Sequence, residues 1–341
     1  MTLNEPIEVL TTIAFAEAIL KQLQQISPRL QFTVQSARRP EDIPDDVWSR
    51  TEILYTDTVL PEPKQVPNLR WLQLHYSGVD FALDAPLLHK PGLQVTTLSG
   101  AAVPQIAEYV IMMMLALGHR LPDVFLNQNR AEWPSDRWDR FMPKELRGST
   151  VGIVGYGSIG REIARLLLPF GVTILAVKRD VKHPQDTGYT IPGLGDPHGD
   201  FFHRLYPIQA LKPMLKVCDF VVICVPLTHK TRNLINEEVL KSFKSTAYLI
   251  DIGRGGVIDQ NALLVALQER RLAGAALDVF SEEPLPPSSP FWHLPNVIIS
   301  PHIAGVSPNY RLRAAELFAE NLQRYIQGIP LLNLLDLENQ Y

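Results

Sequence analysis

The chain has 341 residues, of which 46% are hydrophobic and 20% charged, with a formal net charge of −4. That length exceeds what a single core usually holds, so two domains are expected. No block of lysine and arginine breaks the mild acidity, which speaks against a nucleic-acid partner.

The opening "MTLNEPIEVL" carries acids where a secretion leader is basic, and no long apolar stretch follows. The most apolar run, "YVIMMMLALG" from Tyr109, has about half the length needed to cross a bilayer, so it reads as a buried helix. Cys218 and Cys224 fall in one apolar run, "CDFVVICVP", as strand residues rather than a disulfide or metal pair. These features predict a cytoplasmic protein with no membrane partner and no metal site.

In chain order, "FAEAILKQL" has a helical period, while "EILYTD", "LRWLQLH" and "LQVTTLS" read as strands. The alternation predicts a parallel α/β domain. A long helix follows from Pro104, a good first-turn residue. From Val151 a second α/β series begins, with strands in "TVGIVGYG", "VTILAVK", "FVVICVP", "AYLIDIG", "AALDVF" and "NVIISPH". The last helix, "PNYRLRAAELFAENLQRYIQG", has no strand after it and is expected to pack back on the first domain. The predicted division is therefore 1–118 with 302–341 as one discontinuous domain, and 119–301 as the other. Between Arg179 and Leu211, about thirty residues rich in Gly, Pro, His and Asp exceed any ordinary strand-to-helix connection and predict an insertion or lid.

"VGIVGYGSIGREIARLL" sets Gly155, Gly157 and Gly160 between an apolar strand and an amphipathic helix. In that context Gly155 makes a tight turn, Gly157 admits the pyrophosphate, and Gly160 lets helix and strand close. At the end of the next strand the ribose-binding acid expected for NAD is missing. Lys178 and Arg179 stand there, either as solvated cations, with Asp180 a substitute acid, or as a clamp for the 2′-phosphate of NADP. The clamp is favoured, so NADP(H) is expected over NAD(H).

Three consecutive strand ends carry Arg254, Glu283 and His302. An arginine between glycines has room to meet a ligand. A histidine with a carboxylate to orient it and a guanidinium nearby can do acid–base work beside an anion site.

Here the motifs converge. "SGVD" (Ser77–Asp80), "AEY", "GYGSIG", "CDFVVICVPLTHKTRNLIN", "IGRGGVIDQNALLVAL", "GAALDVFSEEPLP" and "SPHIAG" make most of the chain resemble the D-isomer-specific 2-hydroxyacid dehydrogenases. That group includes glyoxylate/hydroxypyruvate reductases, D-lactate dehydrogenases and phosphoglycerate dehydrogenase. The resemblance implies two Rossmann-like or flavodoxin-like parallel-sheet domains with the active site in the cleft between them. It implies reduction of a small 2-oxo acid to the D-2-hydroxy acid by hydride from NAD(P)H, with Arg254 gripping the carboxylate, His302 donating the proton and Glu283 orienting His302. It also implies backbone contacts to the substrate from Ser77, Gly78 and Val79. Tyr156, Ser158 and Ile159 would lie at the coenzyme pyrophosphate, Val225 and Pro226 on the adenosine side, and Ile252 and Asp278 near the nicotinamide amide. Asp278 has a second reading, as a buried strand-end acid satisfied by backbone N–H groups. The Lys178–Arg179 pair and the insertion depart from the family pattern.

"RAEWPSDRW" is similar to an arm that reaches a partner subunit, so a homodimer is expected, with Trp133 or Trp138 either at the partner's pocket or in packing. Two other readings share the scaffold. Formate dehydrogenases pair their histidine with glutamine, against Glu283 here. Dinucleotide-sensing corepressors keep the trio but tend to carry a long disordered tail.

Overall fold

The computed structural model describes residues 5–341, so the first four residues of the leader reading lie outside it. The chain divides into two compact units, Met1–Ala102 with Ser307–Tyr341, and Val103–Val306.

The first unit is a parallel sheet of β1 (Ile7–Thr11), β2 (Leu30–Val34), β3 (Ile53–Thr56), β4 (Trp71–Leu74) and β5 (Gln94–Thr96), in the order β2-β1-β3-β4-β5. Helices α1 (Glu17–Gln24) and α2 (Asp45–Arg50) lie in its crossovers. Every residue of β3 and β4 is buried, as a parallel strand covered on both faces requires. Their few polar groups are paired inside: the Trp71 indole donates to Thr96 Oγ1 at 2.7 Å, and Thr96 in turn to Gln73 Oε1 at 2.8 Å.

The second unit opens with α3 (Val103–Gly118), α4 (Leu121–Asn129) and α5 (Arg137–Arg140). An alternating series follows: β6 (Thr150–Val154), α6 (Ser158–Leu167), β7 (Thr173–Val177), β8 (Arg204–Tyr206), α7 (Leu211–Leu215) and β9 (Phe220–Ile223). It continues through α8 (Glu237–Leu240), β10 (Tyr248–Asp251), α9 (Gln260–Gln268), β11 (Gly274–Leu277) and β12 (Val297–Ile299). The seven parallel strands run β12-β11-β10-β9-β6-β7-β8, so the order reverses between β6 and β9. In such sheets ligands bind beyond the carboxyl ends of the strands at that reversal.

Helix α3 divides the chain differently from the sequence reading, which placed it in the first domain. It packs on α6 and against β10 and β11, sharing one core with Ile153, Ile163 and Ile250. A helix apolar on nearly every side carries no signal of which neighbour it serves. The boundary consequently falls at residue 102 rather than 118, and His302 belongs to the same unit as Arg254 and Glu283. Among the described residues no single helix is long and apolar enough to cross a membrane.

The segment after β7 is a docked block rather than a loose lid. It ends in β8, which extends the sheet beside β7, and its interior covers α6. The chain then returns to the first unit as α10 (Tyr310–Gln327), whose Phe318 ring lies 4.7 Å from Tyr55 and 5.3 Å from Trp71.

Candidate active site

His302 follows β12 with φ of 53°, a left-handed conformation that costs an ordinary L-residue roughly 1–2 kcal/mol. Its surroundings hold it there. Nδ1 lies 2.7 Å from Glu283 Oε2, while Glu283 Oε1 accepts the Phe280 N–H at 2.9 Å. The next two residues are tied down as well: Ile303 and Ala304 donate their N–H groups to the two oxygens of Asp278, each at 2.9 Å. Ser300 Oγ donates to Asp278 Oδ1 and shares a hydrogen bond with the Tyr109 hydroxyl of α3, both at 2.5 Å. Asp278 is thus a buried acid at a strand end, its oxygens held by the loop that carries His302.

Arg254 sits in the turn after β10, half-buried, with its guanidinium on the Gly253 carbonyl at 2.9 Å. Its flanking glycines have separate reasons. A Cβ on Gly255 would fall 1.9 Å from the Phe280 carbonyl, and Gly256 has φ of +92°. The Arg254 turn therefore abuts Phe280, whose N–H holds Glu283, which holds His302. Beneath the turn, burial pushes the Asp251 carboxyl up to about 7; the Gly253 N–H opposes this and the Asp278 charge adds to it.

The glycine turn fits a dinucleotide. Gly155 has φ of +109°, and a Cβ there would meet the Cys224 carbonyl and Val225 at 2.9 Å. A Cβ on Gly160 would lie 2.2 Å from the Gly155 carbonyl, so only glycine allows this closeness of strand and helix. Gly157 precedes the first turn of α6, and a Cβ there would meet nothing within 4 Å. That leaves open space beside the N–H groups of Ser158 and Ile159, the shape and polarity a pyrophosphate needs. Val225, after β9, borders the same turn, its side chain on Gly155 and its carbonyl on Gly253, while Ile252, after β10, donates its N–H to the Ile223 carbonyl at 3.1 Å. Pro226 accepts the Thr231 hydroxyl at 2.6 Å. Tyr156 contributes only backbone here. Its side chain is buried, and its hydroxyl donates to Asp196 Oδ2 at 2.7 Å.

At the end of β7, Lys178 Nζ donates to the carbonyls of His183 at 2.6 Å and Gln185 at 3.4 Å. Asp180, the candidate substitute acid, faces the insertion: its oxygens take the Lys182 N–H at 2.9 Å and the His183 ring at 2.6 Å. Ser77, Gly78 and Val79 lie in the first unit, past β4. The Ser77 hydroxyl donates to the Leu98 carbonyl at 3.1 Å, and the Tyr310 hydroxyl holds the His75 carbonyl at 2.5 Å.

Residues 111–304 match the family described as D-isomer specific 2-hydroxyacid dehydrogenase, NAD binding domain. A glyoxylate reductase of Thermofilum pendens is 37% identical over 81% of this chain and 77% of its own length. One from Aeropyrum pernix is 35% identical over 80% and 78%. The chain belongs to the D-isomer specific 2-hydroxyacid dehydrogenases.

Solved members agree in fold along nearly the whole chain. A family protein of Aeromonas salmonicida has 30% identity and a TM-score of 0.77, covering 98% of this chain and 99% of that one. A dehydrogenase of Xanthobacter autotrophicus Py2, solved with NADPH and MES, has 25% identity and a TM-score of 0.79, covering 99% and 100%. This 2-hydroxyacid dehydrogenase is therefore an NAD(P)-dependent oxidoreductase that reduces 2-oxo acids. Several residues of its site escape sequence reasoning: Tyr109 and Ser300 behind Asp278, Arg161 and Glu162 under the insertion, and Asp196 within it. The one available signal is "GDPHGD", where an aspartate followed by a proline and then a glycine marks a self-capped turn.

Proposed function

We propose that this dehydrogenase reduces glyoxylate, hydroxypyruvate or another small 2-oxo acid to the D-2-hydroxy acid, prefers NADPH to NADH, and works as a cytoplasmic homodimer. The observation that carries the chemistry is the His302–Glu283 pair at 2.7 Å, on the sheet edge that also presents Arg254. Arg254 grips the substrate carboxylate, since its planar fork suits that anion better than lysine would. Glu283 accepts from Nδ1 and so turns Nε2 of His302, which carries the transferable proton, away from itself. His302 gives that proton to the carbonyl oxygen and regains one from solvent. A nicotinamide coenzyme, when held at the glycine turn, would supply the hydride that the carbonyl carbon needs.

Support for NADPH comes from the end of β7, where two cations replace an acid and Asp180 is engaged elsewhere. Support for a dimer comes from the stretch around α4 and α5, where Trp133 is 85% and Trp138 75% exposed, alongside Phe125 and Met142. Large apolar side chains left in water this close together in the sequence are unusual for a monomer. The test is a panel of 2-oxo acids with both coenzymes, ranked by kcat/KM, with sedimentation at the assay concentration. A preference for NADH, for bulky 2-oxo acids, or an active monomer removes the corresponding part of the proposal.

A further inference from the structure

The insertion after β7 is held by charges that amphipathic helices normally leave in water. Arg161, the residue after Gly160 on α6, is 1% exposed. Its guanidinium donates to the carbonyls of Asp196 and Pro184, and Nε lies 3.4 Å from Asp186 Oδ2. The guanidinium also sits over the Tyr156 ring, 5.0 Å from its centroid. Beside it, Glu162 accepts the Gly195 N–H at 2.6 Å. Leaving such a charge unpaired in the interior is costly, so the insertion and α6 specify each other's position.

Three consecutive carbonyls explain what this anchoring achieves. Pro184 accepts from Arg161, while its neighbours His183 and Gln185 accept from the Lys178 ammonium. One turn of the insertion is thus pinned from below by α6 and clamps, from above, the cation at the end of β7. A lysine ammonium has three N–H groups, and two are used in this clamp. The side chain is ordered before any ligand arrives, with donor capacity left for an anion.

We propose that Arg161 is a positioning residue for coenzyme choice, fixing through the 183–185 turn the Lys178 ammonium that receives the 2′-phosphate of NADP. This rests on the NADP reading given above. It makes the insertion part of the nucleotide site, although Arg161 itself touches no coenzyme atom in this scheme.

The test measures binding of NADP+ and NAD+ by calorimetry in wild type, Arg161→Met, the milder Arg161→Lys, Lys178→Met and the Arg161→Met, Lys178→Met double variant. Loss of one charge-assisted contact corresponds to about tenfold or more in affinity. Arg161→Met is expected to weaken NADP+ by about that factor with NAD+ affinity held within about twofold, and Arg161→Lys to recover part of the loss. Arg161→Met should add nothing in the Lys178→Met background, because both act on one contact. Equal weakening of both coenzymes, additive losses, or tighter NADP+ binding in Arg161→Met would overturn the role of Arg161. A Lys178→Met variant with an unchanged NADP+/NAD+ ratio would instead remove the underlying NADP reading.

Discussion

His302 combines a strained backbone with a fully specified setting, and the two belong together. A left-handed φ survives where surrounding bonds over-determine it, here through Asp278 on the flanking N–H groups and Glu283 on the ring. His302→Asn removes the transferable proton while keeping a polar side chain that tolerates the left-handed region. Turnover is expected to fall by roughly 10²–10⁴-fold with coenzyme affinity unchanged, since general acid catalysis has about that worth. Stopped-flow single turnovers and coenzyme titration measure the two quantities separately, and near-normal turnover would refute the assignment. Arg254→Gln keeps hydrogen-bonding atoms and loses the charge. Leaving the substrate carboxylate unpaired costs about 2–5 kcal/mol, or roughly 30- to several-thousandfold in kcat/KM.

At the scale of elements, the site is an arrangement of strand-end turns pressed together by missing side chains. Gly255 lets the turn after β10 rest against Phe280, and through Phe280 the same contact reaches Glu283. Gly255→Ala would drive a methyl group into a backbone carbonyl that cannot rotate away. The expected cost is roughly 2–4 kcal/mol of stability. Because the displaced turn carries Arg254, kcat/KM should also fall by about 10²-fold or more. Thermal melting and steady-state kinetics on the one variant check both, and a variant normal in both would mean that the turns do not depend on this contact.

At the scale of the molecule, buried ionisable groups set how stability follows pH. In the first unit, His75 Nδ1 shares a hydrogen bond with the Tyr55 hydroxyl at 2.6 Å, and burial lowers the pKa of His75 from 6.5 to about 4. An unfolded chain takes up a proton at His75 below pH 6.5 that the folded unit refuses until about pH 4. Stability contributed by the neutral ring is present above pH 6.5 and is lost as pH falls through that window. The shift from 6.5 to about 4 corresponds to as much as about 3 kcal/mol. His75→Gln should lower the melting temperature near neutral pH yet flatten its decline toward pH 4. Parallel melting curves for variant and wild type across that range would assign the acid sensitivity to other groups.

What the sequence by itself determined was local in origin. The parts played by Gly155, Gly157 and Gly160 follow from backbone geometry within six residues, so strand, glycines and helix can be read together. Arg254, Glu283 and His302 were legible because parallel strands deliver their C-terminal ends to one edge, and motif order locates those ends. Short β1 and β2 lack strong alternation and do not stand out, although β1 lies between β2 and β3 in its sheet. Only the tertiary structure decided where α3 belongs, because a helix apolar on most faces is compatible with either core. It alone decided that Arg161 and Glu162 are interior residues, because their cover comes from carbonyls and N–H groups 23 to 35 positions away. The same holds for Lys178 and Asp278. Charge and strand-end position are properties of the sequence, but the direction each group faces is set by whichever loop folds over it.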